Sequence, residues 1–579
     1  MNGVKFWREE KKKPAKGTRG SPLFVARSMG VALGLSLLTL SELFAGVALR
    51  NGNFYIGFKD IAYSGGLDLK IERVCNSKTR NYEGRFGKCW GNEFESRIQL
   101  NPDGSLSVKE FGGGAENVFR PANFKPADID TAIAGIVQAQ QSAGAQMAAP
   151  AWEQYKKRLK SDAEFRSQEY ERLQRARLIA PKPIPVNTQF YANQFSYQYI
   201  TKVAGGFIRV NENGKVERFT EAGLLNRIEE KSGAYLTFQY DALGRLARIE
   251  DNLKRRLEFK LNAAGRVERI DGDNGKYAEY KYDARGMMVQ SRDAAGGVYQ
   301  YKQDEKGLLV EIAFPDKTIQ QMTYYGPEMN ENVKSVKERN GNTTSYVYTL
   351  NPADSGYLKV AIKTANKEGK SISDKMYEFF IKKKVDGGEY TYKLIEDLDG
   401  ERTETVYNEC CGLPLIIKRN SEETAFEYDA KGRVLKKTTP WEVTQLTYDP
   451  KAGKVQKVVK IPRPNGTSVS IEYKYDDRGN LTLARSSTGE GVQLFYDAAG
   501  RIIALKDSSN RKLEFKYNEN NKPVEISDAR LGKMTMSYNK SGEVETVESS
   551  ADRKISSEVT AAFNAVLKLT RPAGVTLSM

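Results

Sequence analysis

Beyond about residue 205 the chain alternates apolar and polar residues in runs of five or six, and each run ends in a cluster of Asp, Asn and Gly. Arg501-Ile502-Ile503-Ala504-Leu505-Lys506 is one run, a polar turn follows at Asp507 to Asn510, and Lys512-Leu513-Glu514-Phe515-Lys516-Tyr517 is the next. Alternation at period two with branched and aromatic residues on one face predicts half-buried β-strands. The pattern returns every 21 residues: Phe219, Tyr240, Leu261, Tyr282, Gln303 and Tyr324 open successive turns. A second run, Tyr407, Tyr428, Tyr448, Tyr475, Tyr496, Tyr517 and Tyr538, keeps the step with one deletion and one insertion.

Each unit therefore predicts two strands and two turns, a hairpin chained to the next. Thirteen such units imply at least about 26 strands, and open twisted sheets rarely exceed ~10 without curling. The expected fold is mainly β: chained antiparallel hairpins winding into a curved or barrel-like shell, argued as a repeat architecture. The turn residues expected to be structural are Tyr240, Asp241, Gly244 and Arg245; Tyr282, Asp283 and Gly286; Tyr428, Asp429, Gly432 and Arg433; Tyr475, Asp476 and Gly479; and Tyr496, Asp497, Gly500 and Arg501. Asp hydrogen-bonds the turn backbone through its side chain, and Gly takes the positive φ that other residues resist.

These Tyr-Asp-x-x-Gly-Arg turns resemble the YD repeats of the Rhs family, shared with teneurins and insecticidal toxin complexes, over roughly residues 205 to 548. The resemblance implies a spiralling hollow β shell. The stretch from Gly52-Asn53-Phe54-Tyr55 to Asp103-Gly104-Ser105 is similar to the domain that precedes Rhs repeats. Where that pattern leads one to expect an aromatic residue and a Gly, this chain has Cys75 and Cys89. A bridge between them would close a loop of about 15 residues and add about 3 kcal/mol; two separate buried thiols are the other reading. Larger relatives carry a self-cleavage motif and a toxic C-terminal domain, and neither is visible here.

Other segments change the picture locally. Lys5 to Arg27 and the uncharged stretch Met29 to Ser41 have the layout of a signal peptide cleaved near Ala48, with an uncleaved anchor as the alternative. Residues 127 to 178, with Trp152, Tyr155, Leu159, Tyr170 and Leu173 at helical spacing, predict a helical insertion closed by Pro181-Lys182-Pro183-Ile184-Pro185, its apolar stripe docked on the shell or on a partner. Residues 345 to 406 keep alternation but lose the regular turns, which suggests degenerate repeats with longer loops. The expected organisation is signal peptide 1–48, N-terminal β domain 49–122, helical insertion and linker 123–186, repeats 187–344, degenerate repeats 345–406, repeats 407–548 and tail 549–579.

The chain contains no histidine, which removes imidazole acid–base catalysis, Ser-His-Asp triads and His-ligated zinc. Neither the spacing of Cys75 and Cys89 nor the adjacent pair Cys410 and Cys411 fits a paired C-x₂-C metal site. Expected cofactors, metals and catalytic residues are none. Of the net charge of +16, residues 1–48 (8 basic, 3 acidic) carry +5; the remaining +11 comes from basic residues spread through the repeats, so nucleic acid is not an expected partner. The function expected is that of an exported, non-enzymatic scaffold or shell acting in encapsulation, adhesion or cell-surface contact. Its partners would be another polypeptide, as cargo or partner chain, or cell-surface glycans stacked on exposed tyrosines. A carbohydrate- or envelope-binding module is the alternative, and a toxin-system component the second.

Overall fold

The computed structural model describes residues 44–549, apart from 66, 81–82, 111–114, 193–197, 212–213, 231–232, 385–388, 410–411, 451–452, 520–521 and 540–543, together with Val559 and Ala561. One antiparallel sheet of 36 strands dominates it, starting at Arg97–Leu100 and ending at Val544–Ser549. Each strand pairs with its chain neighbours, as the hairpin pattern requires: Tyr235–Tyr240 pairs with Leu246–Asp251, which pairs with Arg256–Leu261.

At nearly every repeat the register slips by one residue at the turn-opening position, for example between Gln239 and Tyr240, Lys281 and Tyr282, and Phe495 and Tyr496. An extra residue on one strand bends it and increases its twist. The same bulge repeated every 21 residues is what makes the sheet wind. The winding closes early. An antiparallel bridge links Arg97 to Leu224, and the Ile98 amide donates to the Gly223 carbonyl at 2.9 Å. The first strand is thus tied to the turn before Leu225–Glu229, while the last strand pairs with Gly532–Tyr538. Gly223 is required there, because a Cβ would lie 2.0 Å from the Ile98 carbonyl oxygen.

A second, four-stranded sheet is formed by Phe44–Ala48, Asn53–Tyr63, Leu69–Asn76 and Trp90–Asn92. It lies on the inner face of the first repeats and shares one core with them: Phe54, Phe58 and Trp90 pack in the same cluster as Phe238, Ile270 and Tyr301. Residues 44–48, inside the segment expected to be a signal peptide, are its first strand and pair with Asn53 to Gly57; residues 1–43 lie outside the described residues. The strands from Arg97 onward, within the expected N-terminal domain, belong to the large sheet.

Three helices interrupt the sheet between Ala115–Pro121 and Gln189–Ala192: α1 (Ala127–Ser142), α2 (Ala149–Ser161) and α3 (Ala163–Arg175). The Asp162 carboxylate caps α3 by accepting from the Phe165 amide at 2.9 Å. The apolar stripe does not dock on the shell. Leu159, Tyr170 and Leu173, with Trp152 and Tyr155, form a separate small core with Ile129, Ile133 and Ile136 of α1. The Ala-rich helix supplies the isoleucines that the stripe needs, so the trio satisfies itself.

The stretch expected to hold longer loops holds longer strands. Thr343–Asn351, Asp354–Ala365, Ser371–Lys383 and Glu389–Leu398 contain 9, 12, 13 and 10 residues. Loss of the Asp-Gly turn chemistry removes the signal that would stop a strand after six residues.

Candidate partner-binding face

The repeat turns come first, because their tyrosines decide what surface is left over. In the turn after Tyr240 the Asp241 carboxylate accepts from the Leu243 and Arg245 amides, both at 2.9 Å, and from the Arg245 side chain at 2.7 Å. The Arg245 amide bond, together with the rest of that shell, holds Asp241 below the usual carboxylate range. Gly244 sits at φ +71°, and Gly286, Gly432, Gly479 and Gly500 are likewise left-handed. Asp283, Asp429, Asp476 and Asp497 repeat the carboxylate arrangement. Arg433 and Arg501 pair with their aspartates as Arg245 does.

Each tyrosine reaches back across the preceding hairpin. Tyr240 donates to the Leu225 carbonyl at 2.6 Å, Tyr282 to Val267, Tyr428 to Pro414, Tyr475 to Val455 and Tyr496 to Leu481, at 2.6 to 2.8 Å. Gln303 makes the equivalent bond to Met288 through its amide, while Phe219 and Leu261 fill the same place without a donor. Where the position is Tyr240, Tyr282, Tyr428, Tyr475, Tyr496 or Gln303, the repeat is thus also a hydrogen-bond repeat. These rings are half-buried, and burial pushes Tyr240, Tyr428 and Tyr496 up to about 12. The tyrosines of the turns therefore do not form the exposed stacking rows that glycan contact would use.

The inner face of the first repeats is occupied by the chain itself. Arg73, fully buried, donates to Asp60 at 2.7 Å, to Ser291 at 2.6 Å and to Tyr301 at 2.7 Å, and Tyr280 donates to the same Asp60 oxygen at 2.8 Å. The guanidinium lies 4.4 Å from the centre of the Trp90 ring. Burial holds Asp60 above its usual range despite the pull of Arg73. Cys75 and Cys89 form a disulfide beside this cluster, with Cα atoms 4.9 Å apart; Cys410 and Cys411 lie outside the described residues. Sequence reasoning missed the cluster, yet the repeat lattice carried its signal. Positions 249, 270, 291 and 312 read Ile, Ile, Ser, Ile, and positions 238, 259, 280 and 301 read Phe, Phe, Tyr, Tyr. The polar departures from the series are the residues that meet Arg73.

The long strands differ from both. Their inner side packs Leu358, Val360, Ile362, Tyr377 and Phe379. On the outer side, Val347 and Ile372 are 53% and 54% exposed. The rings of Tyr357, Phe380 and Tyr392 form a row across three strands at centroid spacings of 5.3 and 6.2 Å, with Val347 and Ile372 further along the strands. Lys393 caps Phe380 and Lys382 caps Tyr392, each at 4.2 Å. Tyr357, Phe380 and Tyr392 are themselves half-buried, so this face combines two exposed branched side chains with a partly covered aromatic row. Among the described residues no group of His, Cys, Asp and Glu is placed to hold a metal ion, and no helix is long and apolar enough to cross a membrane.

Residues 451–577 match the Teneurin YD-shell family model. The repeats within that stretch are similar to those of the Teneurin YD-shell, in agreement with the resemblance read from the Tyr-Asp-x-x-Gly turns. No curated protein matches the chain. Among solved structures, one titled "Crystal Structure of TcdB2-TccC3-TEV" aligns over 90% of this chain and 29% of that one, at 11% identity and a TM-score of 0.43. The Photorhabdus luminescens Tc holotoxin pore aligns over 89% and 28%, at 12% identity and a TM-score of 0.38. The chain thus spans less than a third of the length of these structures.

Proposed function

We propose that the chain is an exported, non-enzymatic YD-repeat scaffold that acts by adhesion, presenting the outer face of its long strands to another polypeptide. The observation that carries this reading is the contrast between the two sides of the sheet. The inner face of the first repeats is filled by the chain's own four-stranded sheet around Arg73, whereas Val347 and Ile372 are exposed and the Tyr357–Phe380–Tyr392 row only half-buried outside. An occupied interior favours a scaffold over a container. The lack of any histidine supports a role without imidazole chemistry. The basic leader followed by an apolar stretch supports action outside the cytoplasm.

Val347→Asp with Ile372→Asp tests this, because both side chains are exposed and the fold should tolerate the change. Retention of the purified chain on cell-envelope fragments should fall at least tenfold while its melting temperature stays within a few degrees of the unaltered chain. Unchanged retention would exclude this face. Binding to a glycan array that is lost on Tyr357→Ala and Tyr392→Ala would favour the carbohydrate-binding alternative, in which sugars displace Lys382 and Lys393 from the rings.

A further inference from the structure

Just past the strand Leu69–Asn76 of the four-stranded sheet, Lys78 reaches across to the loop between Ile319–Tyr324 and Val333–Lys337 of the large sheet. It sits on a single 3₁₀ turn, Ser77–Thr79, capped by the Asn76 side chain, which accepts from the Lys78 amide at 3.0 Å. The Asn53 side chain accepts from the same amide at 3.2 Å, so the backbone under Lys78 is held from two sides. Its Nζ donates to Asn332 Oδ1 at 2.8 Å and to the Asn330 carbonyl.

The loop is shaped to hold those acceptors. Asn330 and Glu331 both take left-handed backbone, at φ +51° and +52°, which residues other than glycine adopt at a cost. The Asn332 side chain is pressed against Gly52, where a Cβ would lie 2.3 Å from Asn332 Cβ and Cγ. The Val333 amide donates to the Gly52 carbonyl at 3.0 Å, which ties the two backbones together beside the contact. Charge there favours the loss of one cation. Glu331 pairs with Arg80 and, at 3.5 Å, with Lys306, and its charge also acts on Lys78. Burial and the Arg80 guanidinium pull Lys78 down to about 8, which brings the neutral, nucleophilic amine within reach near neutral pH.

We propose that Lys78 and Asn332 are the two ends of an intramolecular amide cross-link that joins the four-stranded sheet to the large one. Nζ attacks Asn332 Cγ, the Nζ–Cγ bond forms and the Cγ–Nδ2 bond breaks. The two protons shed by the Lys78 ammonium leave with Nδ2 as an ammonium ion, so charge is conserved and no oxidant, reductant or second reagent is needed. Amines attack carboxamides slowly in solution, and a fixed geometry replaces the encounter that limits them. The product removes one of the three cations that face Glu331 and gives the chain a link that reducing agents leave intact, in contrast to the Cys75–Cys89 bridge. It forms whether or not the outer face of the long strands binds a partner.

Peptide mass mapping of the full chain, reduced and alkylated beforehand so that the disulfide joins nothing, reads the link directly. Trypsin should release residues 74–80, uncut after Lys78, joined to residues 318–334, with a mass lower than the sum of the two peptides by one ammonia. Lys78→Arg and Asn332→Ala should each abolish the joined species. The unaltered chain alone decides the question, so the test survives a variant that does not fold. Recovery of residues 74–78 and 318–334 from the folded chain as separate peptides of unaltered mass would overturn the proposal. Loss of one ammonia from 318–334 alone, the mark of ring closure at an asparagine, would overturn it as well.

Discussion

The two repeat blocks use one repeat and finish it differently. In the first, strands 216–337 meet a disulfide-closed sheet through a buried polar cluster of Arg73, Asp60, Tyr280, Ser291 and Tyr301. In the second, strands 442–538 present a mostly apolar face of Val458, Val492, Leu505, Leu513 and Ile526, broken by rings such as Tyr473 and Phe515 and by the buried Thr444, Ser486, Asp507 and Asp528 near strand ends. The repeat builds a wall and no more. What turns the first wall into a core is a segment from elsewhere in the chain, and the polar exceptions in the repeat lattice match that segment.

The largest effect that separates the blocks is expected from Arg73→Ala. It leaves Asp60 buried without its partner and should cost about 3–5 kcal/mol, all of it in the first block, seen as an earlier melting step for that block by calorimetry. Replacing Cys75 and Cys89 by Ser should cost about 3 kcal/mol in the same step, the value for a loop of about 15 residues, and nothing in the second. A single melting transition that shifts as a whole in both variants would show that the blocks are not separable.

Alkali should act on both blocks together. Tyr240 in the first and Tyr428, Tyr448 and Tyr496 in the second are pushed up to about 12 by burial. Folding favours their neutral form, so the stability they lend is complete below the ordinary tyrosine value of 10 and drains as pH rises through about 12. Chemical denaturation between pH 9 and pH 12 should show both blocks weakening in parallel. The smallest change is Tyr496→Phe, which removes one hydrogen bond to the Leu481 carbonyl at 2.8 Å and should cost about 1 kcal/mol in the second block alone.

What was legible in the sequence was local. Tyr240, Asp241, Gly244 and Arg245 close their turn within six residues, so residue type and spacing reveal it, and a 21-residue echo reveals the sheet. The helices were legible for the same reason, through the spacing of Trp152, Tyr155 and Leu159. Their docking was not, because Ile133 and Ile136 are hidden in an Ala- and Gln-rich run that shows little amphipathic contrast. The Arg73 cluster joins residues up to 228 apart in sequence. No local pattern states that Arg73 will meet Tyr301, and only reading the repeats against each other exposes Ser291 as the odd member of an isoleucine series. Residues 345–406 show their strands in the alternation, but the extra length lies in the strands and not in the expected longer loops, because turn residues carry most of the signal for strand length.

The first block is a single-layer wall completed by its own cover, the disulfide-closed sheet around Arg73, and the second block packs in a separate core that does not depend on that cover. Hydrogen exchange, resolved by strand, on the chain carrying Arg73→Ala measures this most directly. Exchange should quicken in strands 216–337, and protection in strands 442–538 should stay as it is. Loss of protection in both blocks to the same degree, or in neither, would refute the separation.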